Sequence, residues 1–203
     1  VIEDDHDNIV ETWYDATILT SSHKAEGSDC PDQKTTLDYN LTVREILDFA
    51  TTVAYEDIKF ILESRTLNLA LAHEGLKGCY GLKVGYAINL EDNKEVFGGD
   101  FLSYAMSLTA AASDARMAGC TLAAMSNSGS GNQGITVTMP VIAYSIKYGT
   151  DDERLARALV LSHLIAIHIK GYLGKLSALC GCVIASTGSS CGIVYLKGGN
   201  YGQ

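Results

Sequence analysis

The segment Met125–Pro140, MSNSGSGNQGITVTMP, concentrates the residue types that could bind a small ligand. Three glycines, two serines and the amide pair Asn132–Gln133 fall within seven residues of it. Glycine lets backbone N–H groups approach a ligand closely, while Ser, Asn and Gln supply donors and acceptors without net charge. This composition fits a nest of N–H donors for a small anionic group at the start of a helix. A tight turn between two helices, without any ligand, fits the residues equally well.

The same segment formally matches the dinucleotide motif G-x-G-x-x-G, from Gly129 to Gly134. Acidic residues follow about twenty positions later at Asp151–Asp152, as that motif also requires. A dinucleotide site needs a strand before the glycines and a βαβ unit around them. An Ala-rich segment of helical character precedes these glycines instead, so the pattern argues against nucleotide binding.

A second candidate for chemistry is the pair Cys180-Gly-Cys182, with Cys191 nine residues further on. Thiolates at close spacing can hold zinc or an iron–sulfur cluster. The spacing matches no standard zinc pattern, and small buried cysteines are common in helix cores. Both interpretations remain open on spacing alone. His163 and His168 are five residues apart on a predicted helix, so their side chains do not converge on one metal.

Composition excludes several classes of partner. The 203 residues are 47% hydrophobic and 19% charged, as in a globular protein, and carry a formal net charge of −9. This charge disfavours nucleic acid and anionic membranes as main partners. The six cysteines form no regular framework, which predicts reduced thiols and a cytoplasmic location. Residues 176–196 carry no charge, but their serines, threonines and glycines favour a buried hairpin of two short helices meeting at Gly188 over a membrane span.

The remaining patterns predict a mostly α fold with about six to eight helices and a small N-terminal β element. Alternating residues near the N-terminus predict one or two strands, and residues 21–40 predict a loop. We expect two parts, residues 1–40 with the β element and residues 41–203 as an all-helical domain. The predicted helix signals are the capping box Thr42–Glu45, a stop at Gly75, a helix Phe101–Ala118 capped by Asp100, a helix Ile135–Tyr148, and a capping box Thr150–Glu153 opening the helix Asp151–Lys170. Asp114 and Arg116 on the Ala-rich helix predict a structural ion pair.

Several longer motifs, spread over nearly the whole chain except the loop at 21–40, resemble one known family. They are HDNIV at 6–10, LALAHEGLKGCYGLKVG at 69–85, AASDARM at 111–117, MSNSGSGNQGIT at 125–136 with PV at 140–141, RAL at 157–159, SHLIAIHIKGYLGKLSALCG at 162–181, and GIVYLKGG at 192–199. Together they resemble the L-cysteine desulfidase family, which is related to the α chain of iron–sulfur L-serine dehydratases.

The resemblance implies an αβ-elimination on a small L-amino acid. Such enzymes convert L-cysteine to pyruvate, ammonia and hydrogen sulfide, or L-serine to pyruvate and ammonia, without pyridoxal phosphate. A 4Fe–4S cluster held by three cysteines acts as the Lewis acid, and a cysteine thiolate takes the α-proton. Matching positions imply that Cys180 is one cluster ligand and that Cys182 and Cys191 are packing residues. They also imply that the substrate carboxylate is held by Ser128, Ser130, Asn132 and Gln133, with His6 and Asn8 lining the same pocket.

Three family residues have no counterpart in this chain. The base cysteine belongs to a Gly-Cys-Thr-Glu-Pro motif upstream of the region that matches residue 1. The other two cluster cysteines belong to a Cys-Asp-Gly-Ala-Lys…Cys segment beyond Gln203. We therefore expect no catalytic residue here, and we expect the chain to be a fragment of a larger α+β protein that carries the cluster. A non-catalytic carboxylate-binding domain of the same ancestry is the alternative. The apolar helices favour a homodimer.

Overall fold

The computed structural model describes residues 9–15, 17–21, 41–173 and 179–203. The chain divides into two compact units, Val1–Tyr39 and Asn40–Gln203. In the first unit, strands β1 (Glu11–Tyr14) and β2 (Thr17–Ser21) form an antiparallel two-stranded sheet. The pairing runs from Glu11 opposite Ser21 to Tyr14 opposite Thr17. This sheet confirms the small N-terminal β element. His6 and Asn8 lie outside the described residues.

The second unit is helical, which confirms the predicted fold class. Its helices are α1 (Val43–Thr52), α2 (Tyr55–Ile58), α3 (Glu63–Gly75), α4 (Val84–Asn89), α5 (Lys94–Phe97), α6 (Phe101–Met117), α7 (Gly131–Tyr148), α8 (Asp152–Leu173) and α9 (Gly181–Leu196), with 3-10 turns at Lys59–Leu62 and Glu91–Asn93.

Side-chain caps fix where several of these helices begin. The Thr42–Glu45 capping box opens α1: the Thr42 backbone N–H donates to Glu45 Oε2 at 2.8 Å, and Glu45 N–H donates to Thr42 Oγ1 at 3.3 Å. Asp100 caps α6 by accepting from the Ser103 N–H at 3.1 Å. Both predicted caps are therefore confirmed, and each satisfies N–H groups that have no partner within the helix.

The start of α8 differs from the prediction of a Thr150–Glu153 capping box. Asp151 Oδ1 accepts from the Arg154 N–H at 2.9 Å and caps the helix. The Glu153 carboxylate instead binds the Arg157 guanidinium, 2.7 Å away. An aspartate next to a threonine competes for the same N–H groups, and a partner one turn further along removes the glutamate from the box.

The core of the helical unit lies around α7 and α8. Met139, Ile142, Leu155 and Leu159 are fully buried there. These two helices are apolar on most of their surface because other helices cover them on several sides. α9 packs against both. No helix in the described part of the chain is both long and apolar enough to cross a membrane.

α9 is one continuous helix, so the predicted hairpin with a turn at Gly188 is wrong. Gly188 lies buried within the helix, where a Cβ atom would come to 2.4 Å from the Ser162 carbonyl oxygen of α8. Gly192, one turn later, faces the Ala158 carbonyl oxygen, 2.9 Å from the position of a Cβ. The glycines allow the backbones of α8 and α9 to approach closely, and neither glycine interrupts the helix.

A similar close approach explains Gly75, which the sequence predicts as a helix stop. α3 does end there, but a Cβ at residue 75 would lie 1.9 Å from the Ala111 carbonyl oxygen of α6. On α4, a Cβ at Gly85 would lie 2.2 Å from the Ala111 N atom. Around Ala111, the backbone of α6 is therefore in direct contact with the backbones of both α3 and α4.

Asp114 and Arg116 do not form the predicted ion pair, with each other or with any other described residue. The Asp114 carboxylate accepts from the Gly85 N–H at 3.0 Å, near the start of α4. Arg116 Nη1 donates to the side-chain oxygen Oδ1 of Asn132, 3.0 Å away. The carboxylate replaces a helix partner for that N–H, so its role is to attach α4 to α6.

We expect Gly75→Ala to destabilise the protein by about 1–3 kcal/mol, because the added methyl group overlaps backbone atoms that cannot move independently. Unfolding by urea, followed by circular dichroism, measures this change. The matched control is Gly171→Ala in α8, where no atom of a described residue lies within 4 Å of the added Cβ; it should be neutral or stabilise by up to about 1 kcal/mol. Equal stability of the two variants would contradict close packing at Ala111.

Candidate functional site

The Gly-rich segment forms a tight turn followed directly by α7. Asn127 and Ser130 exchange two backbone hydrogen bonds, of 3.1 and 3.0 Å. The two residues between them, Ser128 and Gly129, have φ values of 49° and 77°. Positive φ at both central positions is the property of type I′ turns, and it costs energy at a serine. The turn therefore presents the Ser128 side chain at the surface in a strained backbone conformation.

α7 begins within the glycine-rich motif, four residues earlier than the predicted start at Ile135. Ser130 is the N-cap, and its Oγ accepts from the Gln133 N–H at 3.2 Å. The N–H groups of Gly131 and Asn132, in the first turn, have no helical partner. They supply the unpaired donors and the positive end of a helix dipole that a nest requires.

Arg116, at the end of α6, lies directly on this helix start. A Cβ at Gly131 would come to 2.2 Å from Arg116 Nε, and Arg116 Nη1 donates to Asn132 Oδ1 at 3.0 Å. No carboxylate pairs with this guanidinium within the described part of the chain. A positive charge at a helix N-terminus is unfavourable by itself, because the helix dipole is positive at the same end. An anion bound there would interact favourably with the guanidinium and with the positive end of the helix dipole.

Asn127 is the centre of a buried hydrogen-bond network beneath the turn. Its Nδ2 lies 2.9 Å from His163 Nδ1 and donates to the His163 carbonyl oxygen at 3.3 Å. Its Oδ1 accepts from Gln133 Nε2 at 2.7 Å and from Ser128 Oγ at 3.0 Å. All the hydrogen-bonding positions of the Asn127 amide are thus filled, and the turn, α7 and α8 are connected through one side chain.

His163 is buried, and its other ring nitrogen, Nε2, has no hydrogen-bond partner among the described residues. Since Nδ1 accepts from Asn127, the neutral ring must carry its proton on Nε2. Burial lowers the pKa of His163 to about 4, because a charged imidazolium would lose its hydration. The ring is therefore neutral at physiological pH, and Nδ1 remains an acceptor.

The start of α9 closes the other side of the nest. A Cβ at Gly181 would lie 2.8 Å from Gln133 Oε1, and Thr136 Oγ1 is 3.7 Å from Cys182 Sγ. Cys180, the residue before α9, is exposed. The Gln133 side chain, although buried, thus turns its carbonyl oxygen toward the segment that carries Cys180.

The three cysteines near α9 differ in environment. The pKa values of Cys182 and Cys191 are both raised, and burial is the main cause in each case. Both thiols are thereby kept protonated, as expected of packing residues. Within the described residues, no group of three or more His, Cys, Asp or Glu side chains could hold a metal.

The structure brings together four of the predicted site residues, Ser128, Ser130, Asn132 and Gln133, beside Cys180. It also adds three residues that the sequence did not assign to the site: Arg116, Asn127 and His163. The sequence predicts Arg116 as an ion-pair residue of a buried helix, and it offers His163 only as a possible metal ligand. Asn127 lies within the glycine-rich segment 125–140, so its position there is a local signal for it. His163 had no comparable local signal, because it is distant in sequence.

The buried histidine predicts an acid sensitivity of the fold. Its pKa is 6.5 in its ordinary state and about 4 in the folded protein. The unfolded chain therefore binds the proton more readily, and the contribution to stability is complete above pH 6.5 and lost as the pH falls toward 4. We expect this one group to remove about 2 kcal/mol of unfolding free energy between about pH 7.5 and about pH 5.

Urea unfolding of the wild type and of His163→Asn at both pH values measures this contribution. The variant should lose less stability on acidification than the wild type, because asparagine does not titrate. His168→Asn is the control, since His168 lies on the same helix against the Tyr172 ring and takes no part in the network. A wild-type pH dependence retained in His163→Asn would show that the ring does not resist protonation.

The comparisons with known proteins give a consistent family relation. Residues 10–203 match the sequence pattern of the serine dehydratase alpha chain. A UPF0597 protein of Bacteroides thetaiotaomicron is 45% identical over 203 residues, which are 100% of this chain and 46% of that protein. UPF0597 proteins of Phocaeicola vulgatus and Oleidesulfovibrio alaskensis are 52% and 55% identical over 80% of this chain and 38% of each relative. No solved structure is significantly similar.

The chain spans less than half the length of these curated relatives. The match confirms the relation to serine dehydratases on which the sequence resemblance rests, and it includes every described residue of the site. The chain belongs to the serine dehydratase alpha chain family.

Proposed function

We propose that this chain is the substrate-binding core of an iron–sulfur-dependent lyase that performs αβ-elimination on a small L-amino acid. The substrate is L-cysteine, giving pyruvate, ammonia and hydrogen sulfide, or L-serine, giving pyruvate and ammonia. Membership of the serine dehydratase alpha chain family supports the reaction class. The location we propose is cytoplasmic, with the protein active as a homodimer in amino-acid catabolism.

The observation that carries the proposal is the Arg116 guanidinium at the start of α7. It has no carboxylate partner among the described residues, and it lies on a helix end that repels it. A substrate carboxylate placed there would accept hydrogen bonds from Arg116, from the Ser130 hydroxyl and from the free N–H groups of the first turn. Such charge-assisted hydrogen bonds are the strong ones, which makes this position the natural carboxylate subsite.

The other predicted ligands take complementary parts in the proposal. Asn132 accepts from Arg116 through Oδ1, and its Nδ2 group donates one hydrogen to Met117 Sδ at 3.1 Å. The second hydrogen of Nδ2 is the one proposed to bind the carboxylate. Ser128 and Gln133 each donate a hydrogen to Asn127, which leaves their oxygens as acceptors. His6 and Asn8 remain proposed pocket residues on the strength of the family resemblance alone.

The described residues do not by themselves fit a 4Fe–4S cluster. Only Cys180 is an exposed cysteine beside the nest, and no set of three ligands converges there within the described part of the chain. A cluster held by three cysteines would need the other two from elsewhere in the whole protein. We therefore propose Cys180 as the one ligand supplied by this chain, and we derive no step of the reaction through the cluster. The base for the α-proton likewise has no candidate among the site residues described above.

This incomplete ligand set is also the observation that favours a second candidate function, a non-catalytic domain that binds small carboxylates. The two candidates share the subsite and differ in turnover. Anaerobic reconstitution with iron and sulfide, followed by assays for pyruvate and sulfide with L-cysteine and L-serine, separates them. Pyruvate formation supports the lyase. A ligand-dependent rise in Tm without any product, from the full-length protein as well, supports the binding domain.

Two substitutions test the carboxylate subsite. We expect Asn132→Ala to weaken amino-acid binding by about 1–3 kcal/mol through the loss of a hydrogen bond to the charged carboxylate. Arg116→Gln should weaken it by at least as much, because it removes the charge from the subsite. Isothermal titration with L-serine measures both effects.

The control for the loss of positive charge is Arg65→Gln. Arg65 pairs with Asp152 at 2.8 Å and has no contact with the nest, so its removal should leave affinity unchanged. If Arg116→Gln and Arg65→Gln bind L-serine equally well, the guanidinium does not hold the carboxylate and the glycine-rich segment is only a turn.

A further inference from the structure

The buried network fixes which atom Gln133 presents to the site. The His163 backbone carbonyl oxygen can only accept a hydrogen bond. Asn127 lies 3.3 Å from this oxygen and must present its NH₂ group there, since its own carbonyl oxygen would be repelled. The orientation of the Asn127 amide is therefore set at His163, by this carbonyl and by ring Nδ1, which lies 2.9 Å from Asn127 Nδ2.

The orientation of Asn127 in turn determines that of Gln133. With its NH₂ group toward His163, Asn127 has its Oδ1 toward Gln133, at 2.7 Å from Nε2. An acceptor at this position requires the NH₂ end of the glutamine amide. The other end, Oε1, consequently faces away from the network and toward Gly181.

Gln133 Oε1 is an acceptor on a buried side chain without a donor of its own. No described residue donates a hydrogen bond to this oxygen. Gly181 lies against it, and a Cβ there would come to 2.8 Å from it. The candidate site thus has an unfilled acceptor at residue 133, and the neighbouring residue in the sequence, Asn132, binds Arg116. A free α-amino acid carries the matching pair on one carbon, a carboxylate that accepts and an ammonium that donates.

We propose that Gln133 Oε1 is the acceptor for the α-ammonium group of the substrate, and that His163 is a positioning residue that turns this oxygen toward it through Asn127. The proposal rests on the proposed function and specifies how the same site selects amino acids over other small carboxylates. His163 acts only while Nδ1 accepts, which its burial and its neutral ring ensure. The unpaired Nε2 is consistent with a ring retained for its other nitrogen.

The test compares two ligands that differ only in the ammonium group, L-serine and 3-hydroxypropionate. Isothermal titration of the wild-type protein should give a preference for L-serine of roughly tenfold to a hundredfold, the range for a hydrogen bond to a charged group. In Gln133→Met, which keeps the length of the side chain but lacks the amide, the ratio of the two affinities should fall toward one. Circular dichroism and Tm confirm that the variant is folded.

Variants of the network distinguish positioning from a general structural effect. His163→Leu removes the acceptor at Nδ1 and should lower the ratio, because the amides of Asn127 and Gln133 are then less firmly oriented. His163→Asn places an amide oxygen close to the position of Nδ1 and should restore the preference. Asn132→Ala, on the carboxylate side, should weaken both ligands by the same factor and leave the ratio unchanged.

The outcomes separate this inference from the function on which it rests. A wild-type protein that binds neither ligand overturns both. A protein that binds both, with a ratio that Gln133→Met leaves unchanged, retains the carboxylate subsite and overturns the ammonium assignment. If Gln133→Met abolishes the preference but His163→Leu and His163→Asn both retain it, the assignment of Gln133 stands and the positioning role of His163 is overturned.

Discussion

The site depends on how the irregular segment 118–130, between α6 and α7, satisfies its backbone hydrogen bonds. A helix or sheet would do so by regular pairing, whereas this segment needs buried side chains. One asparagine binds a backbone group of the segment, and a second attaches the segment to a neighbouring helix. Asn68 of α3 accepts from the Met125 N–H at 3.0 Å, and donates to Thr138 of α7 at 2.6 Å. Asn127, within the segment, binds α8. The segment is thereby attached to three helices that are themselves fixed by the core, and the nest acquires the rigidity of those helices.

Close backbone packing completes this arrangement, because it sets where α7 and α9 begin relative to the segment. A Cβ at Gly134 would lie 1.9 Å from the Met125 carbonyl oxygen, so the first turn of α7 rests directly on the segment. Along α9, Gly181 lies against the Gln133 side chain and Gly188 lies against the Ser162 carbonyl oxygen. Glycine in a helix normally costs up to about 1 kcal/mol of helix stability relative to alanine. In this protein the glycines stand at the positions where the helices around the nest are in closest contact, and no larger residue would fit there.

The features that the sequence predicted well are local ones. The Thr42–Glu45 box and the Asp100 cap involve atoms three residues apart, so their chemistry is visible in the sequence itself. Features that join distant residues are not visible in this way: Asn127 and His163 are 36 positions apart, and the sequence predicts a turn at Gly188 because its partner, Ser162, lies on another helix. The residue types that form the nest are visible in the sequence, but the directions of its hydrogen bonds are not. Which side-chain atom is a donor and which is an acceptor depends on partners that only the folded chain brings together.

Two unfavourable features meet at one turn, the positive φ of Ser128 and the unpaired Nε2 of His163 beneath it. Each costs roughly 1–3 kcal/mol, and such costs are concentrated where function requires them. Their common partner is the Asn127 amide, and no similar residue could replace it. A carboxylate at position 127 would set an oxygen against the His163 carbonyl, and an apolar side chain would release Gln133 and Ser128 together. The strained turn and the buried ring are thus joined by one amide, which presents its NH₂ group to α8 and its oxygen to Gln133 and Ser128.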